Sequence, residues 1–315
     1  MNIWHLTDHK AGHVAQARGL FAALERAGVP VRVIQISVAD ITKFSLFFYW
    51  ISGARLGNLP PNLIKQDAPD LIVGVGHATH WSMILLKKCF PKAKSIVLMK
   101  PSFPLSWFDY AIIPAHDFAD QHVIPSNIFV THGALNPLVN EHRHEKNRHL
   151  ILIGGASKRY DFSEEMLIEQ VQSLLVKISN QPELQTVLLT TSRRTPDTFL
   201  SHTFFKNHTH QLQLFPVAQT PIGWLFEQLQ LAEFVWVTQD SVSMLFEALT
   251  AGCHVGVLAM PKTRTDRVTE ATDEYIKQGL FLPLDGFLQS EGFHNTPLLK
   301  EADVVAEWLM TKNIL

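Results

Sequence analysis

The amino-acid sequence predicts an α/β protein built from two doubly wound, Rossmann-like domains that face one another across a cleft. Short apolar runs alternate with helical patterns along most of the chain, which is typical of parallel sheets covered by helices. A polar segment divides these runs into two series. The chain has 315 residues, enough for two domains, and 46% of them are hydrophobic, too many for a disordered chain.

Strands and one helix are predicted in the first series. Val14, Ala17, Phe21 and Leu24 recur at helical spacing, which places one apolar stripe against a sheet. The helix is therefore expected over residues 14–27. The strands are expected at 2–7 (NIWHLT), 31–37 (VRVIQIS), 70–76 (DLIVGVG), 95–100 (SIVLMK), 110–115 (YAIIPA) and 128–133 (IFVTHG).

The polar segment is residues 140–149, NEHRHEKNRH, and its composition predicts a solvated connection between folding units. We therefore place an N-terminal domain at 1–145, a second domain at 146–297 and a C-terminal helical segment at 298–315 that packs back on the first domain.

The second series has the same alternation. Ser163 is a suitable N-cap for a helix, and Thr220-Pro221 marks another helix start. Helices are expected at 164–179, 241–251 and 299–310, and strands at 150–155, 186–192, 234–239 and 254–260.

Composition excludes several classes of protein. The formal net charge is -2 and the isoelectric point is near 6.8, which gives no field to gather nucleic acid, so no nucleic-acid partner is expected. Cys89 and Cys253 both lie in apolar stretches, which favours buried thiols in a reducing compartment. The first residues are too polar for a signal peptide, and a cytoplasmic location is expected.

The segment 44–51, FSLFFYWI, is the most apolar run. It is far shorter than the ~20 residues that span a bilayer, but it could contact a membrane surface, with Lys43 and Arg55 beside it. A core helix or an interdomain surface explains the run equally well. The predicted membrane contacts are Phe44, Phe47, Phe48 and Trp50.

The strongest local signal is residues 237–252, VTQDSVSMLFEALTAG, where a strand leads directly into a helix. Free backbone N–H groups at the helix N-terminus, with the hydroxyls of Ser241 and Ser243, suit a phosphate. Glu247 lies about one turn further on, where it could accept hydrogen bonds from ribose hydroxyls. Alternatively, Asp240 or Ser241 caps the helix and Glu247 is solvated.

Two further strand ends resemble anion sites. In residues 152–160, LIGGASKRY, a double glycine lets the backbone approach a ligand, and Ser157 and Lys158 supply donors and charge. Residues 190–196, TTSRRTP, repeat the pattern with Ser192, Arg193 and Arg194. The first loop is not a P-loop, because the GK[ST] ending is missing. Because consecutive parallel strands end at one edge, the three loops together favour a nucleoside diphosphate.

Residues 8–16 of the first half, DHKAGHVAQ, also lie between a strand and a helix. Gly12 permits a tight turn there, and Lys10 and His13 would project into the cleft. Histidine titrates near neutral pH, which makes His13 the candidate general base. Asp8 is the second candidate.

Other histidine-containing segments admit two interpretations. GVGHATHW, at 74–81, ends a strand with glycine but lacks the third glycine of a dinucleotide motif. Asp117, at the end of another strand, faces the cleft or caps a helix. The pairs and triplets among the 16 histidines, such as His77 with His80, and His142 with His144 and His149, match no zinc motif. Surface or structural histidines are favoured, and neither a metal nor a cofactor is expected.

These segments, in this order, resemble the family named for the plant elongated-mitochondria fission protein, whose bacterial members are described as GT-B glycosyltransferases. The resemblance is carried by DHKAGHVAQ, FDYAIIPAHD, LIGGASKRY, TTSRRTP and VTQDSVSMLFEA. The opening segment is also similar to the acceptor-facing glycine-rich loop of the lipid-II-forming glycosyltransferase, although Asp8, His9 and Lys10 replace smaller residues. His77 stands where family members usually carry arginine.

The resemblance implies a GT-B fold, a nucleotide-sugar donor and peripheral association with a membrane. The expected function is metal-independent transfer of a sugar to a lipid-linked or envelope-glycan acceptor at the cytosolic membrane face. A nucleotide-sugar epimerase and a non-catalytic scaffold that binds membranes or proteins are the alternatives. The predicted donor-binding residues are Gly154, Gly155, Ser157, Lys158, Ser192, Arg193, Arg194, Asp240, Ser241, Ser243 and Glu247. The predicted acceptor-binding residues are Lys10, Gly12, Gln16, His77 and Asp117.

Overall fold

The computed structural model of the protein describes residues 1–40, 66–118, 124–290, 292–293 and 298–312. It divides the chain into two compact units. Unit 1 comprises Met1–Pro137 with Lys300–Leu315, and unit 2 comprises Leu138–Leu299. The predicted membrane contacts Phe44, Phe47, Phe48 and Trp50 lie outside the described residues.

In the described residues, unit 1 contains one sheet of six parallel strands in the order β2-β1-β3-β4-β5-β6. Because β1 has β2 on one side and β3 on the other, the chain changes direction across the sheet between β1 and β3, which is the topological switch point. The strands are β1 (Asn2–Thr7), β2 (Arg32–Ser37), β3 (Leu71–Val75), β4 (Lys94–Leu98), β5 (Tyr110–Pro114) and β6 (Ile128–Thr131). The first α-helices among the described residues are α1 (Ala11–Arg26) and α2 (His80–Cys89).

Helix α1 begins three residues before the predicted start. Its buried face includes Ala17, Phe21 and Leu24, as the spacing predicts. Gly12 is the second residue of the helix, and the space around it is open. The prediction that Gly12 forms a tight turn is therefore wrong, because the backbone is already helical there.

Unit 2 contains a second parallel sheet, in the order β12-β11-β10-β7-β8-β9. Its switch point lies between β7 and β10. The strands are β7 (Glu145–Ile153), β8 (Thr186–Thr191), β9 (Gln213–Phe215), β10 (Ala232–Thr238), β11 (His254–Leu258) and β12 (Leu282–Pro283). The helices are α3 (Glu164–Ser179), α4 (Thr203–Asn207), α5 (Trp224–Leu231), α6 (Val242–Ala251), α7 (Arg267–Lys277) and α8 (Leu284–Leu288).

The predicted linker 140–149 is partly strand, since β7 begins at Glu145. Several of its polar residues are bonded within unit 2, although residues 141–143 and 145–146 remain exposed. The Asn147 backbone N–H donates to Glu233 at 2.7 Å, and Arg148 donates to Gln228 at 2.6 Å. The polar composition wrongly indicates a linker here, because polar groups in the first half of β7 form hydrogen bonds with side chains of neighbouring elements.

Two helix ends in unit 2 test the capping predictions. Ser163 caps α3, because its hydroxyl accepts from the backbone N–H of Met166 at 3.3 Å. The predicted start at Thr220-Pro221 is wrong. Gly223 adopts a left-handed conformation with φ of 87°, and α5 begins only after it, at Trp224.

The last described helix, α9 (Glu301–Thr311), belongs to unit 1. Arg26 of α1 donates to Asp303 of α9 at 2.9 Å. Apolar residues of α9, among them Val305 and Leu309, join the same buried cluster as Leu20 of α1. Burying each such side chain contributes roughly 1.5–3 kcal/mol, so α9 is an integral part of the unit 1 core. Among the described helices, none has the length and apolar character needed to cross a bilayer.

Candidate functional site

The switch point of unit 2 brings together the three loops that the sequence predicts as anion sites. The backbone N–H of Gly154, after β7, donates to Thr238 Oγ1 of β10 at 2.7 Å. The backbone N–H of Gly155 donates to Asp240 Oδ2 at 3.2 Å. Ligands of doubly wound sheets bind at this position.

Arg194 and Asp240 hold these loops together. The Nη2 atom of Arg194 lies 2.6 Å from Asp240 Oδ2 and donates to Ser241 Oγ at 2.9 Å. Its Nη1 atom donates to the carbonyl of Gly155 at 3.0 Å. The side chain of Asp240 is 0% exposed and that of Arg194 is 43% exposed. We call this pair the Arg194–Asp240 clamp, because it joins the ends of β7, β8 and β10.

The double glycine provides room for the clamp. A Cβ atom at Gly154 would lie 2.2 Å from Asp240 Oδ1, and one at Gly155 would lie 2.1 Å from the carbonyl oxygen of Arg194. Both distances are too short for any side chain. The sequence suggests that the glycines admit a ligand, whereas the structure shows that they admit the clamp. Nothing in the sequence connects Gly155 with Asp240, which is 85 positions away, or with Arg194, which is 39 positions away.

Helix α6 presents an exposed hydroxyl in its first turn and an unpaired carboxyl group about one turn further on. Neither Asp240 nor Ser241 caps the helix with its side chain, so the alternative capping role is wrong. Ser243 is exposed, and Glu247 is half-buried. Among the described residues Glu247 has no hydrogen-bond or ion-pair partner, and burial raises its pKa to about 7.

The remaining predicted donor residues fall into two groups. The hydroxyls of Ser157 and Ser192 shape their own loops, since Ser157 Oγ accepts from the backbone N–H of Tyr160 and Ser192 Oγ accepts from that of Arg194, each at 3.1 Å. Lys158 and Arg193 are exposed and have no ion-pair partner in the described part of the chain. Their charges therefore remain available to an anion.

Two neighbouring pockets of about 190 and 300 Å³ open beside these loops. We call them together the unit 2 trough, since they share Thr191, Ser192, Arg193 and Val217. The smaller pocket is largely apolar and is bounded by Trp224 among others. The sequence analysis missed this trough, because β9, which precedes Val217, is only three residues long.

At the switch point of unit 1, Asp8 and His13 form a hydrogen-bonded pair. His13 Nδ1 lies 2.9 and 3.0 Å from the two carboxylate oxygens, and Lys10 Nζ lies 2.9 Å from Asp8 Oδ2. Burial alone would raise the pKa of Asp8, but the hydrogen bonds from Lys10 and His13 lower it below its ordinary value. Because an ionised carboxylate only accepts, His13 Nδ1 carries the proton, and a neutral ring keeps its lone pair on Nε2.

Gly76, at the end of β3, makes room for the His13 ring. It has φ of 78°, and a Cβ atom there would lie 2.3 Å from His13 Cε1. The glycine is needed both for its left-handed backbone and for the packing of the imidazole. This contact joins the first turn of α1 to the end of β3.

A pocket of about 540 Å³ lies beside this pair, and we call it the unit 1 pocket. Its lining includes Asp8, His9, Ser37, Val38, Ala39, His77, Ala78, Trp81, Ser82, Ser102 and Phe103. Of the predicted acceptor residues, His77 lines the pocket, while Lys10 is exposed and Gln16 is half-buried in α1. Asp117 is buried, 3.5 Å from His116 Nε2, and does not line the pocket.

Several histidines have structural surroundings. His80 is buried against Phe108, and His149 is buried with Nε2 3.1 Å from Gln185 Oε1. Burial lowers the pKa of both imidazoles to about 4, so both are neutral at physiological pH. Within the described ranges, no three His, Cys, Asp or Glu side chains are placed to hold a metal ion together.

Comparison with known proteins assigns the family. The model of the family described as mitochondrial fission ELM1 matches residues 11–312. The chain belongs to this family. The resemblance predicted from the sequence motifs is thereby confirmed. An uncharacterised protein of Rickettsia prowazekii, RP120, is 29% identical over 349 residues, covering 98% of this chain and 97% of that protein.

Solved structures confirm the predicted fold class for this family member. A protein from Listeria monocytogenes, provisionally assigned as a UDP-N-acetylglucosamine 2-epimerase, matches with a TM-score of 0.60 at 13% identity, over 99% of this chain and 95% of that one. The Phytolacca americana protein UGT2, in complex with UDP-2-fluoroglucose and pterostilbene, matches with a TM-score of 0.55 at 10% identity, over 99% and 93%. The chain has the GT-B type of α/β fold, with two parallel sheets.

Proposed function

We propose that the protein transfers a sugar from a nucleoside diphosphate sugar to an acceptor hydroxyl. One observation carries the proposal. At the switch point of unit 2, the strand ends that meet carry the N-terminus of α6, the unpaired cations Lys158 and Arg193 and, further along α6, the unpaired carboxyl group of Glu247, and Arg193 lines the trough. This is the combination of groups that a nucleoside diphosphate requires.

Each part of the donor has a fitting group in unit 2. The diphosphate would bind the backbone N–H groups at the start of α6, with Lys158 and Arg193 neutralising its charge. The ribose hydroxyls would donate to Glu247, and the apolar part of the trough would hold the base. The Arg194–Asp240 clamp would position the loops without itself binding the donor.

The structural relatives support this assignment of the donor. The Phytolacca protein binds a fluorinated UDP-glucose, and the Listeria protein is assigned to UDP-N-acetylglucosamine chemistry. Uridine diphosphate and its sugars are therefore the first ligands to test.

Unit 1 would bind and activate the acceptor. His13 Nε2 would remove the proton from the acceptor hydroxyl, and Asp8 would hold the ring and stabilise the imidazolium that forms. The acceptor oxygen would then bond to the anomeric carbon as the bond to the diphosphate oxygen breaks. The electron pair would leave with the nucleoside diphosphate, where Lys158, Arg193 and the α6 N-terminus stabilise the charge.

The proposal requires neither a metal nor a cofactor, because these groups supply the positive charge. The proposed acceptor is a lipid-linked or envelope glycan at the cytosolic membrane face, with peripheral association of the protein.

The first test is thermal unfolding in the presence of UDP, UDP-glucose, UDP-N-acetylglucosamine, ADP and GDP. A ligand that binds only the folded state raises the midpoint temperature, because at a concentration of 100 times Kd it adds about 2.7 kcal/mol to the free energy of unfolding. We expect a selective increase with one nucleotide that is lost in Lys158→Ala and Ser243→Ala. The matched control is Lys146→Ala, an exposed lysine at the opposite end of β7. If the protein is folded and no nucleotide changes its midpoint, the proposal is contradicted.

Product analysis then defines the reaction. Accumulation of free nucleoside diphosphate with a glycosylated acceptor supports transfer. An isomeric nucleotide sugar would instead show an epimerase, and binding without any product from a wide acceptor panel would favour a scaffold.

A further inference from the structure

Unit 1 carries a row of three aromatic side chains, which we call the aromatic row and define as Trp81, Phe103 and Trp107. The side chain of Phe103 is half-buried. Trp81 is 41% and Trp107 is 48% exposed. The ring centroids of Trp81 and Phe103 are 4.9 Å apart and nearly perpendicular, and those of Phe103 and Trp107 are 5.5 Å apart and stacked. The three rings therefore form one continuous apolar surface.

The aromatic row is held in place by its surroundings. The backbone N–H of Ser102 donates to Nδ1 of the buried His80 at 3.3 Å, and His80 also packs edge-on against Phe103. The backbone N–H of Trp107 donates to the carbonyl of Pro104 at 3.0 Å, and the next residue, Phe108, is buried. A rigid apolar surface loses little entropy when a ligand binds it. The neutral His80 beneath it adds no charge.

The aromatic row continues directly into the unit 1 pocket, because Trp81 and Phe103 are part of the pocket lining. At its other side the same pocket is lined by Asp8, His9 and His77. One concave site thus has an apolar side and a side with hydrogen-bonding and proton-accepting groups. Its volume of about 540 Å³ is in the range of small-molecule sites.

We propose that the unit 1 pocket binds an amphiphilic acceptor, whose apolar part lies on the aromatic row and whose hydroxyl group lies at the polar side near Asp8. This inference rests on the proposed function, since it specifies the acceptor of that transfer. It distinguishes an acceptor that carries a lipid or aromatic group from a free glycan, which has no apolar part to cover the aromatic row.

One observation favours a single bound amphiphile over a bilayer surface. Trp81 and Phe103 line a concave pocket and not a flat face.

The test uses octyl glucoside below its micelle concentration, with methyl glucoside as the matched probe that lacks the apolar chain. Binding is measured by calorimetry without any nucleotide. We expect octyl glucoside to bind and methyl glucoside not to bind. Trp81→Ala and Trp107→Ala should each weaken octyl glucoside binding about tenfold, since each removes a large apolar contact. Val304→Ala, an exposed apolar position on α9 of the same unit, is the control and should change nothing.

Circular dichroism verifies the fold of each variant, and Trp81→Phe should retain most of the affinity if Trp81→Ala perturbs the helix. Equal binding of both glucosides, or octyl glucoside binding that is unchanged in both alanine variants, would overturn the inference. So would binding to phosphatidylcholine vesicles without binding of the monomer. The thermal response to UDP is measured in the same variants. A failed UDP response refutes the donor site, whereas a retained response with no octyl glucoside binding refutes only the amphiphilic acceptor.

Discussion

At the switch point of unit 1 a buried carboxylate, Asp8, is bonded to a histidine, whereas at that of unit 2 a buried carboxylate, Asp240, is bonded to an arginine. The partner decides what each pair can do. An imidazole gains and loses a proton near neutral pH, but a guanidinium stays charged. In the proposed function, the same topological position therefore serves proton transfer in one unit and loop positioning in the other. Four substitutions test this difference, from the largest expected effect to the smallest.

Replacing His13 should have the largest effect on turnover. In His13→Ala the acceptor hydroxyl has no base, and general-base catalysis contributes typically 10²–10⁴-fold. We expect the rate of UDP release with acceptor to fall about 10³-fold, while the thermal response to UDP is unchanged. His210→Ala, at an exposed histidine of unit 2, is the control. An active His13→Ala variant would remove the proton-transfer role from unit 1.

Replacing Asp240 should have the largest effect on stability. Asp240→Ala removes the ion pair with Arg194 and the acceptor for the Gly155 backbone N–H. We expect urea unfolding to show that the free energy of unfolding falls by about 3 kcal/mol. This is the low end of the range for a broken buried ion pair, because Arg194 is partly exposed. In a double-mutant cycle, Arg194→Ala should cost much less in the Asp240→Ala background than alone. Additive losses would show that the two residues act independently.

Glu247→Gln should change the pH dependence of stability. Burial raises the pKa of Glu247 from 4.5 to about 7, so its protonated form favours the folded state. This stability is fully present below pH 4.5 and is lost as the pH rises through 7. Glu247→Gln should therefore be more stable than the wild type at pH 8, by on the order of 2 kcal/mol, and equal to it near pH 4. Urea unfolding at both pH values measures this.

The control for that comparison is Glu169→Gln, at an exposed position of α3. The same Glu247→Gln variant should bind UDP more weakly at pH 8, because an amide is a poorer acceptor for ribose hydroxyls than a carboxylate. A variant with the wild-type pH profile would show that the carboxyl group is ionised at its ordinary pKa.

Arg193→Ala should have the smallest effect on the fold. Arg193 is exposed and unpaired among the described residues, unlike its neighbour in the clamp. We expect UDP binding to weaken about tenfold, which is the loss of one charge-assisted contact, with unfolding free energy within about 0.5 kcal/mol of the wild type. Raising the salt concentration should reduce the difference. Calorimetric titration at two salt concentrations measures UDP binding, and urea unfolding measures stability. A large loss of stability would indicate that Arg193 shares the role of Arg194.

Local patterns were sufficient to predict most of the fold. Alternating apolar runs identify β1, β3 and β10, and the capped amphipathic pattern identifies α3, because these elements owe their form to neighbours in sequence. The short strands β9 and β12 were missed, since three and two residues carry no readable period. The polar start of β7 was mistaken for a linker because its partners lie in other elements.

The candidate site was predictable only in its location. Strand-end loops rich in glycine, hydroxyls and cations indicate a candidate ligand site, but they do not show which side chains bind one another. Arg193 and Arg194 are indistinguishable in sequence, yet only the second reaches Asp240. Likewise Gly76 and His13 are 63 positions apart, and only the packing of β1 beside β3 reveals that one makes room for the other.

Helix α9 has a consequence for the order in which the protein is made. A ribosome completes residues 138–299 before residues 300–312 exist, so unit 2 has its whole core while unit 1 still lacks a helix. Without α9, the part of the α1 surface that packs against Val305 and Leu309 has no cover, so the unit that is synthesised first is the last to be completed. A released chain that ends at Leu299 should therefore be protected from protease in unit 2 and cut within unit 1.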